Sequence, residues 1–168
     1  MPDKDQGFTL VELLITLSML TILIAIAVPA MADLIARNRQ QALLTQIQDT
    51  IQKARTKAVL HRQTVVICGS RDTIKCVSDW RNGWLTQTET TGQVLTVTQL
   101  PAPDELRWSG FGDQRIRFYE NGTSHSSNGR FYQCYRQRVA WQLILNRQGR
   151  LRQGTAADNA SKAYLCKS

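Results

Sequence analysis

From Leu13 to Ala32 the chain runs 20 residues without a charge, mostly Leu, Ile, Ala, Met and Thr. That length suffices to cross a hydrocarbon layer of roughly 30 Å as a helix. Beyond it the pattern turns amphipathic. Leu34, Leu43, Leu44, Ile47, Ile51, Ala54 and Ala58 recur at three- and four-residue steps, with Arg37, Arg39, Gln40, Gln48 and Lys53 between them. The two patterns join into one predicted helix from Phe8 to about Leu60, roughly 80 Å long at 1.5 Å per residue. Its first half is an anchor and its second half packs on a globular head. Pro29 falls inside it, removes one backbone donor and crowds the carbonyl of Ala25, so a kink or local melting is expected there.

From Thr64 the period becomes two. Strands are predicted at "TVVIC", "WLTQTE", "QVLTVTQL", "RIRFYE", "RFYQCYR" and "RVAWQLIL", with a short one at "GRLRQ". The breaks "RNG", "TTG", "PAPDE" and "ENGTSHSSNG" supply Gly, Pro, Asn and Ser where tight backbone is needed. In "RVAWQLILN", Val139, Trp141, Leu143 and Leu145 alternate with Ala140, Gln142, Ile144 and Asn146 and form one strongly apolar face, with Trp141 a core residue. The fold class is α+β: a long N-terminal helix, transmembrane in one half and amphipathic in the other, on an antiparallel β-sheet head. Residues 33–168 form that head, with its helix at 33–60 and its β domain at 64–168.

Charge adds a candidate surface. The formal net charge is +8, and residues 33–168 hold 20 basic against 10 acidic residues. Between Arg130 and Ser168 eight basic residues face a single acidic one, Asp158. This quarter of the chain is either a solvated face or an anion-binding surface. In "NRQGRLRQG", Gly149 lets the chain reverse, and Arg150 and Arg152 project from one face of the next strand, roughly 6 to 7 Å apart. That spacing approximates successive phosphates of a nucleic acid strand, and guanidinium forks suit phosphate oxygens. Arg147 lies in the turn, and Arg136, Arg138, Lys162 and Lys167 would widen the patch.

The four cysteines, Cys68, Cys76, Cys134 and Cys166, all follow the anchor, where an even count favours disulfides. Three pairings are possible and sequence does not choose among them. The favoured one joins Cys68 to Cys76 around "GSRDTIK" and Cys134 to Cys166, stapling the basic tail to the domain. Zinc is disfavoured, since neither a CxxC pair nor a histidine at ligand spacing is present. No cofactor motif and no enzyme constellation occurs either: His61 ends the amphipathic helix, and His125 sits in a Ser/Asn/Gly loop without a nucleophile elbow, phosphate loop or carboxylate pair. Phe131, Tyr132 and Tyr135 could stack on bases, though in a β domain such residues more often pack across strands.

The start of the chain inverts the order of a secretory signal peptide. A short polar leader, Met1 to Gly7, precedes the apolar run, and Glu12 is the single carboxylate within it. "GFTLVELL" resembles the type IV pilin and pseudopilin prepilin motif. The resemblance implies that a prepilin peptidase cuts between Gly7 and Phe8 and N-methylates Phe8. Residues 8–32 are then retained as the transmembrane and assembly half of the helix, in a single-pass protein of the bacterial inner membrane with a periplasmic head. A carboxylate in hydrocarbon costs on the order of 2.5 to 3.5 kcal/mol and needs a partner. For Glu12 the resemblance implies the amino terminus of a neighbouring pilin. The leader departs from the usual pattern in holding Asp3 and Asp5 against only Lys4.

Together with the prepilin motif and the all-β head, "IRFYENG", "WQLILNRQGRLR" and the Cys134 to Cys166 tail are similar to the GspH/FimT family of minor pilins and pseudopilins. "GRLR" fits the GRxR motif of the FimT branch, which is implicated in DNA capture during natural transformation; Gly149, Arg150 and Arg152 match it. The resemblance implies a minor pilin that holds the DNA phosphate backbone without sequence preference. The rival expectation is a structural minor pilin, or a type II secretion pseudopilin, that primes filament assembly with other pilins and binds no DNA. Its basic residues would be scattered rather than clustered.

Overall fold

Helix α1 spans Leu10–His61 and keeps helical backbone through Pro29, so the expected local melting is not found. Proline forfeits one donor, and the rest of the helical ladder carries the backbone through it. The structure, a computed structural model, describes residues 9–101 and 104–167. It divides into two compact units, one ending at Gln41 and the other beginning at Ala42. In the first unit α1 is long and apolar enough to cross a membrane by length and composition. Leu34, assigned above to the packing face, is exposed with it, and the helix face buried in the head starts at Leu43. Gly7 and Phe8 lie outside the described residues.

In the second unit, Leu43, Leu44, Ile47, Ile51, Ala54 and Ala58 of α1 are buried, on the three- and four-residue steps of one helix face. They meet an antiparallel β domain, as expected, and it is built of two sheets. The first has the order β3 (Val94–Gln99), β2 (Gly83–Thr88), β1 (Val65–Gly69), β5 (Ile116–Phe118). The second has the order β4 (Leu106–Gly110), β6 (Gly129–Tyr135), β7 (Arg138–Leu145), β8 (Leu151–Gln153). All the paired strands are antiparallel. One core joins α1 to both sheets: Val65, Ile67, Trp84, Ile116 and Phe118 of the first sheet share it with Leu106, Trp108, Phe131, Trp141 and Leu143 of the second. The buried indoles of Trp84 and Trp141 donate to Thr50 Oγ1 at 3.1 Å and Gln133 Oε1 at 2.6 Å, which offsets their desolvation.

Strand β4 and the helical tail, α2 (Ala156–Ser161) and the 3-10 turn Ala163–Cys166, lie outside the predicted elements. The tail did carry a signal in "TAAD". Thr155 caps α2 through Asp158 N–H, and the Asp158 carboxylate accepts from Thr155 N–H, a reciprocal capping box. Disulfides join Cys68 to Cys76 and Cys134 to Cys166.

Two carboxylates tie loops of the head to arginines. Asp79, between Arg71 and Arg81, is held well below the usual carboxylate range, mainly by its hydrogen bond from Arg81. Asp113 is lowered to about 2, mainly by its hydrogen bond from Arg117. Each binds its proton more weakly folded than unfolded, so its stabilisation is complete above the unfolded carboxylate pKa of about 3.9 and fades as pH falls below it. The melting temperature should therefore drop between about pH 4 and pH 2, and Asp79→Asn should flatten that drop. A profile unchanged by the substitution refutes the assignment to Asp79.

Candidate functional site

The "NRQGRLRQG" stretch forms the β7–β8 turn. Asn146 opens it, accepting from Gly149 N–H at 3.0 Å and donating to Arg150 O at 3.1 Å, while its side-chain oxygen accepts from Arg150 N–H at 2.9 Å. Gly149 takes φ 74°, and a Cβ there would lie 2.5 Å from Gly122 O and 3.2 Å from the Phe118 ring. Only glycine fits both the left-handed backbone and that close approach. Arg55 of α1 clamps the arrangement, donating from Nε to Gly122 O at 2.9 Å and from Nη2 to Gln148 O at 3.4 Å, and Ser124 N–H donates to Arg147 O at 2.9 Å. Gly149 is thus buried and shapes the turn.

The clamp leaves Arg147 and Arg150 exposed on fixed backbone. Among the described residues, neither guanidinium has an acidic partner. Arg152 differs. It lies in β8 opposite Ile144, its side chain is 57% exposed, and its Nη1 donates to Asp158 Oδ2 at 2.7 Å. Arg152 and the Thr155 hydrogen bonds hold the Asp158 carboxyl below its ordinary range, so the pair stays ionised and its net charge is zero at neutral pH. Arg150 directly precedes the strand, and its carbonyl oxygen accepts from Asn146 N–H at 3.1 Å.

The remaining predicted contacts fall elsewhere. Arg136 and Gln137 make a two-residue turn between β6 and β7, with φ of 48° and 60°. That turn lies at the opposite end of β7, seven residue steps or roughly 23 Å from the β7–β8 turn. Beside it Arg136, Arg138 and Lys167 rim a groove of about 790 Å³ walled by Val139, Ala156 and Ala160. Lys162 is spent locally, with its Nζ 5.5 Å from the Tyr164 ring centre and 3.3 Å from the Tyr164 hydroxyl. The cluster contiguous in sequence is therefore two patches in space. Arg130, not singled out above, joins the first of them: with Arg147, Asn128, Asn146, Ile144 and Gln148 it lines a groove of about 380 Å³. Its Nη1 donates to Gln142 Oε1 at 2.9 Å. Outward alternation on β6 was the available signal.

No metal-binding group of three or more His, Cys, Asp or Glu is found among the described residues. His125 stacks on Tyr119 with ring centres 4.1 Å apart and lies 3.3 Å from Thr123 Oγ1, within a loop network. Glu12 sits exposed in the first turn of α1, its N–H bonded to Thr9 Oγ1.

Residues 44–149 match the family described as type II transport protein GspH. The chain belongs to the GspH family. Residues 2–28 also match the prokaryotic N-terminal methylation motif. These place the GspH-family chain among the minor type IV pilins and pseudopilins, as a long N-terminal helix followed by antiparallel sheets. Its fold is similar to crystal structures of the type IV minor pilin FimU of Pseudomonas aeruginosa in two crystal forms. One has 20% identity and TM-score 0.55, covering 72% of this chain and 92% of that one. The other has 18% identity and TM-score 0.50, covering 70% and 94%. No curated protein matches the chain significantly.

Proposed function

We propose that this GspH-family protein is a minor type IV pilin that captures DNA through the β7–β8 turn, in support of natural transformation. Its leader would be removed after Gly7 by prepilin peptidase and Phe8 methylated. Residues 8–32 would anchor it in the inner membrane until it joins other pilins, with Glu12 meeting a neighbour's amino terminus. The observation that carries the DNA reading is the clamped turn, which presents Arg147 and Arg150 to solvent without an acidic partner. A held turn backbone that presents uncompensated guanidinium groups suits phosphate oxygens, and the contact is blind to sequence. Few charges per head imply weak single-site binding, which several copies in one filament would raise through avidity.

A second reading is favoured by one observation, the separation of Arg136, Arg138 and Lys167 from the turn. Scattered basic residues suit a structural minor pilin or type II secretion pseudopilin that primes assembly and binds no DNA. A salt titration of DNA binding by the full chain in detergent separates the two. Arg147→Gln with Arg150→Gln is expected to lower affinity roughly tenfold or more, and to reduce the log–log salt slope by about 2. Arg152→Gln should change affinity less, because Asp158 already neutralises that charge. If the native chain fails to bind, or the double variant binds equally, the structural reading replaces the DNA one.

A further inference from the structure

Two of the three β6 aromatics considered above for base stacking are not available: Phe131 is buried and Tyr132 is 7% exposed. Tyr135 is exposed, but Arg136 lies 5.1 Å from its ring centre, and Tyr164 carries Lys162. Phe111 is different. It is 69% exposed, and no other ring or cation packs on it among the described residues. A single exposed aromatic ring is ordinary on a protein surface, and its surroundings are what make this one a platform for a ligand with a flat apolar face.

Its position gives that ring a context. Phe111 directly follows β4, and its N–H donates to Asn128 O at 2.9 Å. Asn128 is a wall of the small groove that holds Arg130 and Arg147 and no acidic residue. The strand ends run side by side here: Gly110 pairs with Gly129, Gly129 with Leu145, and Leu145 with Leu151. At about 4.8 Å per strand, the backbone of Phe111 stands roughly 10 Å from the start of the β7–β8 turn and roughly 14 Å from its far side. Those distances correspond to roughly one and a half to two nucleotides of an extended single strand.

We infer that this end of the second sheet is a single-stranded DNA site, in which Phe111 stacks on a base while Arg147 and Arg130 hold phosphates in the adjacent groove. The inference deepens the DNA reading and rests on it. An aromatic platform beside a cationic groove is sequence-tolerant, because every base has a π face. It discriminates by strandedness, since duplex bases are already stacked on one another and offer no free face to the ring.

The test measures binding of labelled mixed-sequence oligonucleotides, single-stranded and duplex, to the full chain in detergent at one fixed salt concentration. Phe111→Ala is expected to weaken single-strand binding roughly tenfold or more while leaving duplex binding within about twofold. Phe111→Trp should keep or improve single-strand binding. An unchanged melting temperature for both variants, expected for so exposed a side chain, shows that the site and not the fold is being read. Equal effects on both DNA forms, or none on either, overturn the stacking role while duplex binding through Arg147 and Arg150 stands. Absence of any binding by the native chain overturns both.

Discussion

Changing Cys134 and Cys166 together to serine is expected to lower the unfolding free energy by about 3 to 4 kcal/mol. The bridge closes a segment with a sequence separation of 32. In the chain-entropy description that constraint removes about 12 cal/mol/K from the unfolded ensemble. The folded state has little to substitute for it. Among the described residues, Tyr132, Val139 and Cys166, with Cys134 and Leu165 beside them, make the small apolar cluster that seats the tail, and it is separate from the main core. The helical tail should therefore loosen first, exposing backbone amides of 156–167 to hydrogen exchange. Urea denaturation of the double variant in parallel with exchange measurements checks both claims. A loss below about 1 kcal/mol, or a tail as protected as before, refutes this account. Because Asp158 travels with the tail, Arg152 should lose its ion-pair partner in this variant. An exposed pair of this kind contributes little stability itself. Its release would add a free cation next to the proposed DNA contact.

Phe131→Ala should cost about as much, roughly 3 to 5 kcal/mol, for a different reason. The Phe131 ring is fully buried and lies 4.8 Å from the ring centres of both Trp80 and Trp108. The Trp80 contact is edge-to-face at 78°, and the Trp108 contact is tilted at 54°. Trp80 precedes β2 of one sheet and Trp108 lies in β4 of the other, so the ring is a central link across the core. Truncation removes the transfer energy and both aromatic pairs and leaves a cavity that two rigid indoles cannot collapse into. Phe131→Leu should lose noticeably less. Equilibrium unfolding followed by tryptophan fluorescence provides the measurement, and equal costs for the two variants would refute the cavity explanation. Against a typical domain stability of about 5 to 15 kcal/mol, either change could leave the head partly unfolded at growth temperature.

The gross plan of the head was legible because it follows from local periodicity. Leu43, Leu44, Ile47 and Ile51 announce a helix face by their spacing alone, and Val139, Trp141, Leu143 and Leu145 announce a strand. Strand β4 escaped because "LRWSG" is short, follows a proline-rich break and places an arginine beside its buried tryptophan, so its pairing with β6 supplies what its own sequence lacks. Phe111 escaped for the converse reason. Nothing local distinguishes an exposed phenylalanine from a core one, and its exposure is a property of the strand ends around it.

By itself the sequence determined the anchor, the helix-to-strand change near Thr64, and the reversal at Gly149, because each depends on residues adjacent in the chain. The tertiary structure alone decided which arginines stand together. Strand β7 meets β6 through the turn at one end and β8 through the turn at the other, which sends Arg136 and Arg138 about 23 Å from Arg147, while Asp158 folds back to neutralise Arg152. Charge is additive along a sequence, but an electrostatic surface depends on distance in space, and only the packed strands fix that distance.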